Sequence, residues 1–215
     1  MLWRKHCDVL RVKSRKHLLI EWCKMSDYRK ELRKSKIHAR NSLSVEDRQQ
    51  LSALISERIA SSELYKKANT VLIYRATKGE VRLDALEAAE ESQGKRLVYP
   101  LCVSDSEMIA MLPEGESAWQ SGYFGIMEPI REKSEEISPS EIDLVICPCT
   151  AFDEKCGRMG MGAGFYDRYI EKCANAHIVA VAFEVQKAEC IPMEPWDKPM
   201  EMVFTEERTY DKPHI

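Results

Sequence analysis

The chain has 215 residues, of which 44% are hydrophobic and 31% charged, and its formal net charge at pH 7 is −3. This length allows one full-sized globular domain, and the acidic balance excludes a general nucleic-acid binder, whose signature is an excess of Lys and Arg. The longest apolar run, at residues 178–183, is far too short to span a membrane, so we expect neither a nucleic-acid nor a membrane partner.

The first 24 residues differ from the rest because they carry seven Lys or Arg against two Asp or Glu. Their apolar stretch, residues 18–20, is too short for a signal peptide. Two interpretations stand: an upstream start-site artefact with Met25 as the true initiator, which we favour, or a basic targeting arm. We predict that residues 1–24 are an extension and that residues 25–215 form a single domain.

The first half of the domain is predicted to alternate helices with strands. Residues 28–40 are basic and compatible with a helix. Ser44 begins a clearer helix, because apolar side chains recur after it at i, i+3 and i+4 spacing. Further predicted elements are strands at 70–75, 96–100 and 107–112 and a helix at 81–93 that Gly94 ends.

The second half continues this alternation after residues 113–139, which are rich in turn formers and predicted to be irregular. We predict strands at 142–147, 177–183 and 202–205 and a helix at 166–173. Continuous apolar runs that alternate with helices are typical of a parallel sheet covered on both faces. The predicted fold class is therefore α/β, a single three-layer domain with a mostly parallel central sheet flanked by helices.

Eight cysteines are present, and no two of them form a Cys-x-x-Cys pair. Cys147 and Cys149 are too closely spaced for the usual zinc knuckle. Several cysteines lie in apolar runs, where a thiol acts as a small hydrophobic group. We interpret them as reduced thiols and predict a cytoplasmic protein.

A glycine-rich loop follows the predicted strand at 142–147. Residues 157–167 are Gly-Arg-Met-Gly-Met-Gly-Ala-Gly-Phe-Tyr-Asp. Glycine lets the backbone approach a bulky anion, and the loop N–H groups with the start of the next helix form an anion site. Arg158 adds a cation, and Asp167 adds a carboxylate of the kind that Mg²⁺ binds. The spacing matches neither a P-loop nor a dinucleotide fingerprint, so we predict another kind of nucleotide triphosphate site, with a plain connecting loop as the alternative.

This loop resembles the hallmark of the 5-formyltetrahydrofolate cyclo-ligase family, also called methenyltetrahydrofolate synthetase. That hallmark is Arg-x-Gly-x-Gly-x-Gly-Tyr/Phe-Tyr-Asp, and here it occupies residues 158–167. Three further segments resemble family motifs in the same order: the basic residues 29–33, the strand end at 74–80, and residues 122–129, which read Gly-Tyr-Phe-Gly-Ile-Met-Glu-Pro. The resemblance extends over about residues 28–207.

The resemblance implies an enzyme that cyclises 5-formyltetrahydrofolate to 5,10-methenyltetrahydrofolate, with ATP and Mg²⁺ required and ADP and phosphate released. The formyl oxygen is a very poor leaving group, and its phosphorylation by ATP solves this problem. The protein then mainly positions the reactants and neutralises charge. The implied partners are reduced folate and ATP, and we expect a monomer. Two alternatives stay open: a non-catalytic folate- or nucleotide-binding protein on the same fold, or a related enzyme acting on another small carboxylate or amide.

The resemblance also assigns site residues. The catalytic residues are Arg158 and Tyr166, and the Mg²⁺ ligands are Asp167 and Asp197. The ATP-binding residues are Arg29, Lys30, Arg33, Arg158, Gly160, Met161, Gly162, Ala163, Gly164, Phe165 and Tyr166. The folate-binding residues are Arg75, Glu80, Tyr123, Met161, Gly162, Ala163, Gly164 and Phe165.

Spacing gives some of these residues independent support. Arg29 and Arg33 are four residues apart on a predicted helix, so both can reach one phosphate group. Without the family resemblance, a solvated basic helix face would be the favoured interpretation. Glu80 lies just after Gly79 at a strand end, where it can accept hydrogen bonds from the pterin. The alternative for Glu80 is an ordinary acid in the first turn of the following helix.

Overall fold

The computed structural model describes residues 15–122, 125–194 and 197–213, and for residues 15–25 it describes the backbone alone. The helices are α1 (Arg15–Asn41), α2 (Val45–Ala60), α3 (Glu63–Lys67), α4 (Asp84–Glu87) and α5 (Phe165–Ile170). The strands are β1 (Thr70–Leu72), β2 (Arg96–Cys102), β3 (Met108–Pro113), β4 (Trp119–Ser121), β5 (Met127–Pro129), β6 (Ser134–Ile137), β7 (Leu144–Pro148), β8 (Ala151–Phe152), β9 (Arg158–Met159), β10 (His177–Val181), β11 (Met202–Phe204) and β12 (Thr209–Asp211). Three helices come first along the chain, and most of the strands follow one another between α4 and α5.

Eight strands form one sheet in the order β12-β11-β10-β7-β1-β2-β3-β6. The five central strands, from β11 to β2, pair in parallel, and the remaining pairs at the two edges are antiparallel. In the middle, Leu72 of β1 lies beside Val98 of β2 and Val145 of β7. The predicted α/β fold with a mostly parallel central sheet is therefore confirmed.

Alternation along the strands divides the core between the two faces of the sheet. Ile146 of β7 belongs to the buried cluster that contains Ile55 and Ile59 of α2. Its neighbour Val145 belongs to the cluster on the other face, with Tyr169 of α5. Helices therefore cover both faces, which explains why the parallel strands are apolar throughout.

The second helix begins where the sequence predicts. The Ser44 side chain accepts a hydrogen bond from the backbone N–H of Asp47 at 2.9 Å and so caps α2. The first helix begins at Arg15, ten residues before Met25, and continues without a break to Asn41. The boundary at residues 24 and 25 stays a prediction, because residues 1–14 lie outside the described part of the chain.

The predicted helix at 81–93 is wrong in extent. Only α4 and a 3₁₀ turn at Glu90–Ser92 form there, separated by Ala89 in an extended conformation (φ −66°, ψ 149°). The Ser92 hydroxyl lies 2.6 Å from the hydroxyl of Tyr65, and its side chain is buried. This contact with α3 turns the chain inward and interrupts the helix, so a tertiary interaction overrides local propensity.

The prediction that residues 113–139 are irregular is also wrong. Strands β4 and β5 pair with each other there, and β6 pairs with β3. The short strand β12 and the hairpin of β8 and β9 were not predicted either. All are two to four residues long, and their hydrogen-bonding partners are not visible as a local hydrophobic pattern.

Among the described helices, none combines the length and the apolar character that crossing a bilayer requires.

The packing of α2 on the sheet gives a stability prediction. Ile59 is completely buried, so Ile59→Ala should lower the free energy of unfolding by about 2–5 kcal/mol, because it removes apolar contacts and leaves a cavity. The control is Leu54→Ala on the same helix, where the side chain is 48% exposed and the change should stay within about 0.5 kcal/mol. Urea denaturation measures both. Equal losses for the two variants would contradict the packing described for α2.

Candidate functional site

A cavity of about 590 Å³ opens at the carboxyl ends of β1, β2 and β7. Its wall includes Tyr74 after β1, Pro100 in β2 and Pro148 at the end of β7, together with the glycine-rich loop. Arg33 of α1 and Asp197 near the C-terminus also line it. The position agrees with the general rule that open parallel sheets bind ligands beyond their strand ends, and the size is ordinary for a small-molecule site.

The glycine-rich loop follows the β8–β9 hairpin and leads directly into α5. Two of its glycines have positive φ: Gly162 at +110° and Gly164 at +70°. Other residues rarely adopt these conformations, so the loop needs glycine at both positions. Met161, just before Gly162, is 60% exposed, and Ala163, between the two glycines, is exposed as well. The loop therefore offers an accessible backbone to the cavity.

Two arginines of α1, Arg29 and Arg33, also line the cavity. Arg33 Nε donates to the carbonyl oxygen of Gly160 at 3.0 Å. Burial and the neighbouring charge of Arg29 lower the pKa of the Arg33 guanidinium, and the carboxylates of Glu194 and Asp197 oppose this shift. The predicted i, i+4 pair is thus brought to one site. The structure does not bring Lys30 there, since its side chain is 70% exposed and lies 3.9 Å from the carboxylate of Asp27.

Arg158 lies under the loop, and its side chain is only 3% exposed. Its Nη2 donates to Asp167 Oδ1 at 2.8 Å, and its Nη1 donates to the carbonyl oxygen of Pro148 at 3.1 Å. Its guanidinium also lies 5.9 Å from the centre of the Tyr166 ring. The phosphate-binding cation and the metal-binding carboxylate expected from the sequence therefore form an ion pair.

Two buried polar atoms beside this pair have no hydrogen-bond partner among the described residues: Arg158 Nε and the Tyr166 hydroxyl. Burial raises the pKa of Tyr166 well above its ordinary value, so its hydroxyl keeps its proton and can donate a hydrogen bond. Since buried donors are normally satisfied, these two atoms indicate that a ligand completes the site.

Asp197, the other expected metal ligand, lines the same cavity. Its Oδ2 accepts from Arg29 Nη1 at 2.7 Å and from the backbone N–H of Glu194 at 2.8 Å. The described residues contain no group of three or more His, Cys, Asp or Glu side chains that could hold a metal ion unaided. Any Mg²⁺ at this site would need additional oxygen ligands.

Glu80 lines the cavity, and its expected role in binding folate stays a prediction. It is 8% exposed, and its Oε2 accepts from the backbone N–H of Thr77 at 2.9 Å. The Tyr74 hydroxyl beside it donates to the carbonyl oxygen of Val81 at 2.8 Å. Tyr123, which was expected to bind folate, lies outside the described residues.

Arg75 lines the cavity but is already held by the protein. Its Nη1 donates to Glu87 Oε1 at 2.9 Å. Its guanidinium lies 5.0 Å from the centre of the Tyr99 ring and 4.6 Å from that of Trp119. This arrangement fits a residue that shapes the wall of the cavity as well as one that meets a ligand. Sequence reasoning missed Trp119, because it lies in the region predicted to be irregular.

Arg168 is a further residue that the sequence did not single out for the site. Its Nη2 donates to the carbonyl oxygen of Ala163 at 2.7 Å, and its Nε donates to that of Ser106 at 2.8 Å. It therefore ties the end of the glycine-rich loop to the turn between β2 and β3. Its position directly after Asp167 in the motif was the available signal.

A model of the 5-formyltetrahydrofolate cyclo-ligase family matches residues 25–206. The chain belongs to this family. It is 27% identical over 176 residues to 5-formyltetrahydrofolate cyclo-ligase of Escherichia coli strain K12, and this match covers 80% of this chain and 97% of that protein. It is 26% identical over 181 residues to 5-formyltetrahydrofolate cyclo-ligase of Mus musculus, with coverage of 77% and 87%.

A solved structure agrees with this membership. The NMR structure of Aquifex aeolicus 5,10-methenyltetrahydrofolate synthetase matches with a TM-score of 0.77 and 32% sequence identity. The match covers 87% of this chain and 94% of that one. The resemblance inferred from the sequence motifs is confirmed, and so is the fold that it implied.

Two cysteines of this cyclo-ligase family member, Cys147 and Cys149, lie at the cavity or next to it. Cys149 lines the cavity and Cys147 lies in β7 beside it, and both are buried. Burial raises the pKa of each thiol to about 12. A cysteine nucleophile instead requires a lowered pKa, so neither thiol is suited to react.

This difference can be measured by alkylation. At pH 8 only about one Cys149 thiol in ten thousand is ionised when its pKa is about 12, so iodoacetamide should modify Cys149 far more slowly than the exposed Cys102. Peptide mapping by mass spectrometry reads both sites in one sample, and a sample unfolded in urea should label them alike. Comparable alkylation rates of Cys149 and Cys102 in the native protein would show that Cys149 is accessible and lies in polar surroundings.

Proposed function

We propose that the protein is a 5-formyltetrahydrofolate cyclo-ligase that uses ATP and Mg²⁺ to form 5,10-methenyltetrahydrofolate, ADP and phosphate. The observation that carries this proposal is the glycine-rich loop beside the ion pair of buried Arg158 with Asp167, next to a Tyr166 hydroxyl that has no partner among the described residues. Family membership supports the same activity. A cytoplasmic location and a monomeric state are part of the proposal.

The reaction proceeds in two steps. The formyl oxygen attacks the γ-phosphorus of ATP in line, and the bond to ADP breaks. N10 of the folate then attacks the activated formyl carbon and releases its proton to solvent, and the phosphorylated oxygen leaves as inorganic phosphate. Positioning and charge neutralisation dominate catalysis of such a phosphoryl transfer. In this proposal a loop with an exposed backbone, beside buried Arg158 and half-buried Arg33, supplies both functions.

The triphosphate end of the cavity is the end with the arginines. Arg33 already contacts the loop at Gly160, so a phosphate held by the loop lies within reach of its remaining N–H groups. Arg158 Nε, which has no hydrogen-bond partner among the described residues, provides a second charged donor. Hydrogen bonds from charged donors are about twice as strong as neutral ones, which suits a highly charged ligand. In this proposal the Tyr166 hydroxyl donates a hydrogen bond to the formyl oxygen, which receives the phosphoryl group.

Asp167 and Asp197 fit Mg²⁺ in the way that nucleotide sites require. Both are hard oxygen ligands that line the same cavity, and Mg²⁺ commonly takes one or two carboxylates together with waters and phosphate oxygens. When bound, Mg²⁺ would neutralise phosphate charge. Each carboxylate currently pairs with an arginine, Asp167 with Arg158 and Asp197 with Arg29. These pairs hold the carboxylates in place before the ligands arrive.

The folate end lies near Glu80 and Tyr74. Glu80 is buried, and one of its oxygens is occupied by Thr77, which leaves the other for donors of the pterin ring. A carboxylate matches the paired N–H donors of a 2-amino-4-oxo heterocycle. The apolar side chains of Met108 and Ile126 line the same cavity and suit a flat ring.

One assay tests the proposal directly. Purified protein is mixed with 5-formyltetrahydrofolate, ATP and MgCl₂, and methenyl absorbance and ADP are followed together. We expect both products in equal amounts, and neither when ATP or Mg²⁺ is withheld. Binding of both ligands in calorimetry without turnover would instead favour a non-catalytic binding protein on the same fold.

The metal role of Asp167 gives a specific prediction. Asp167→Asn should raise the Mg²⁺ concentration for half-maximal activity at least about tenfold, because the amide is a weaker ligand for a hard cation. Glu136→Gln is the control, since this exposed carboxylate pairs only with the surface residue Arg131. A Mg²⁺ titration of each variant at saturating ATP measures the effect. Reduced turnover with an unchanged Mg²⁺ requirement would mean that Asp167 serves only as the partner of Arg158.

The loop conformation gives another prediction. Gly162→Val should abolish ATP-dependent cyclisation, because φ is +110° there and a β-branched side chain resists that conformation beside the phosphate site. Gly115→Val is a matched control: its φ is +80°, a Cβ there would meet no atom within 4 Å, and it does not line the cavity. It should cost about 1–3 kcal/mol of stability and leave ATP affinity unchanged. Calorimetry measures the ATP affinity of both variants. Near-normal ATP affinity in Gly162→Val would contradict a role of the loop in ATP binding and leave it as a connecting loop.

A further inference from the structure

Arg40, near the end of α1, is a buried arginine that no part of the proposed mechanism uses. It is 3% exposed. Its Nε and Nη1 are both buried and have no hydrogen-bond partner among the described residues. Its nearest carboxylate is that of Glu80, whose Oε1 lies 4.0 Å from Arg40 Nη1. A guanidinium this poorly satisfied is costly to bury, so a role beyond packing is expected.

The guanidinium lies directly behind the folate end of the cavity. Arg40 does not line the cavity, but Glu80, Tyr74 and Cys149 all do. Burial raises the pKa of Tyr74 and of Cys149, and the charge of Arg40 partly opposes both shifts, which shows that it lies near each of them. Arg40 therefore lies outside the cavity, beside its wall residue Glu80 and within electrostatic range of Tyr74 and Cys149.

The turn that carries Glu80 packs tightly against the end of α1. Gly79 has a φ of +89°, and a Cβ there would lie 2.2 Å from Asn41 Oδ1 and 3.5 Å from Arg40 Nε. The backbone N–H of Thr77 holds Glu80 Oε2 from the other side. Glu80 is thus fixed at one oxygen by its own turn, while the other oxygen faces Arg40.

We propose that Arg40 is a positioning residue for folate recognition that acts through Glu80. The inference rests on the proposed function, since it takes Glu80 to be a pterin contact. Arg40 supplies the counter-charge that a carboxylate buried in the cavity wall needs, and it holds Oε1 in the orientation that accepts a ligand N–H. When the ligand donates to Glu80, Arg40 stabilises the carboxylate from behind, and the two interactions reinforce each other.

A purely structural role for Arg40 predicts something different. In that case it only seals α1 against the turn at residues 77–80, and its loss would weaken the whole site and the fold together. The ATP end of the cavity, at Arg33 and the glycine-rich loop, would then suffer with the folate end. A double-mutant cycle with Glu80 separates the two roles, because residues that act through each other are not additive.

The variants are Arg40→Met, Arg40→Lys, Glu80→Gln and the double variant of Arg40→Met with Glu80→Gln. Calorimetry measures the affinity for 5-formyltetrahydrofolate without ATP and, separately, for MgATP. Arg58→Met is the control, because Arg58 is a half-buried arginine of α2 that donates to the carbonyl oxygens of Thr205 and Glu206 and does not line the cavity. Melting temperatures are recorded for every variant.

Arg40→Met should weaken folate affinity about tenfold or more and change MgATP affinity less than about twofold. Arg40→Lys should recover part of the loss because it keeps the charge. With Glu80→Gln already present, Arg40→Met should weaken folate binding less than about twofold further. Arg58→Met should alter neither affinity. If Arg40→Met does not fold, Arg40→Lys with and without Glu80→Gln completes the same cycle.

Two results would overturn the inference: equal losses of folate and MgATP affinity in Arg40→Met, or the same loss of folate affinity with and without Glu80→Gln. Failure of the proposed function gives a different result. The wild-type protein would then bind folate, and the cycle could be measured, but no methenyl absorbance would develop with ATP and Mg²⁺. A wild-type protein that binds no folate would refute both proposals.

Discussion

The site depends on contacts that α1 makes with two distant parts of the chain. Arg33 donates to Gly160, which is 127 residues away, and Arg29 donates to Asp197, which is 168 residues away. One helical turn separates the two arginines, so a single helix face holds the glycine-rich loop and the C-terminal segment at once. The cavity therefore exists only when the first helix is docked against the second half of the domain.

The cavity balances its charge internally. Three carboxylates from the motif positions each lie beside an arginine: Asp167 beside Arg158, Asp197 beside Arg29, and Glu80 beside Arg40. Buried ions require such partners, because desolvation is costly. A bound triphosphate would offer the arginines a new anion, and Mg²⁺ would offer the aspartates a new cation. In the proposed function, ligand binding exchanges partners within pairs that already hold the groups in position, which limits reorganisation during the reaction.

The sequence predicted the features that depend on composition and local pattern. Apolar runs without alternation predicted the parallel core, and both the position of Ser44 and the glycine spacing at residues 160–164 gave correct local structure. The fold class followed from the apolar runs, and the family followed from the resemblance of four motifs, at residues 29–33, 74–80, 122–129 and 158–167. The predicted helix at 81–93 failed because Ser92 turns inward to meet Tyr65, a contact that no local pattern contains. The strands within 113–139 were missed for the same reason.

The sequence by itself determined which chemical groups the glycine-rich loop carries, because the spacing of Arg158, the glycines and Asp167 is a property of one continuous segment. It also determined that the loop comes after a buried strand of the parallel sheet and therefore lies beyond the carboxyl ends of the strands. Only the tertiary structure decided how the charges are paired and that Lys30 lies outside the cavity. It also revealed Arg40 behind Glu80, since the two residues are brought together by packing of a helix end on a turn. Pairings of this kind depend on distances in space, and residue order does not encode them directly.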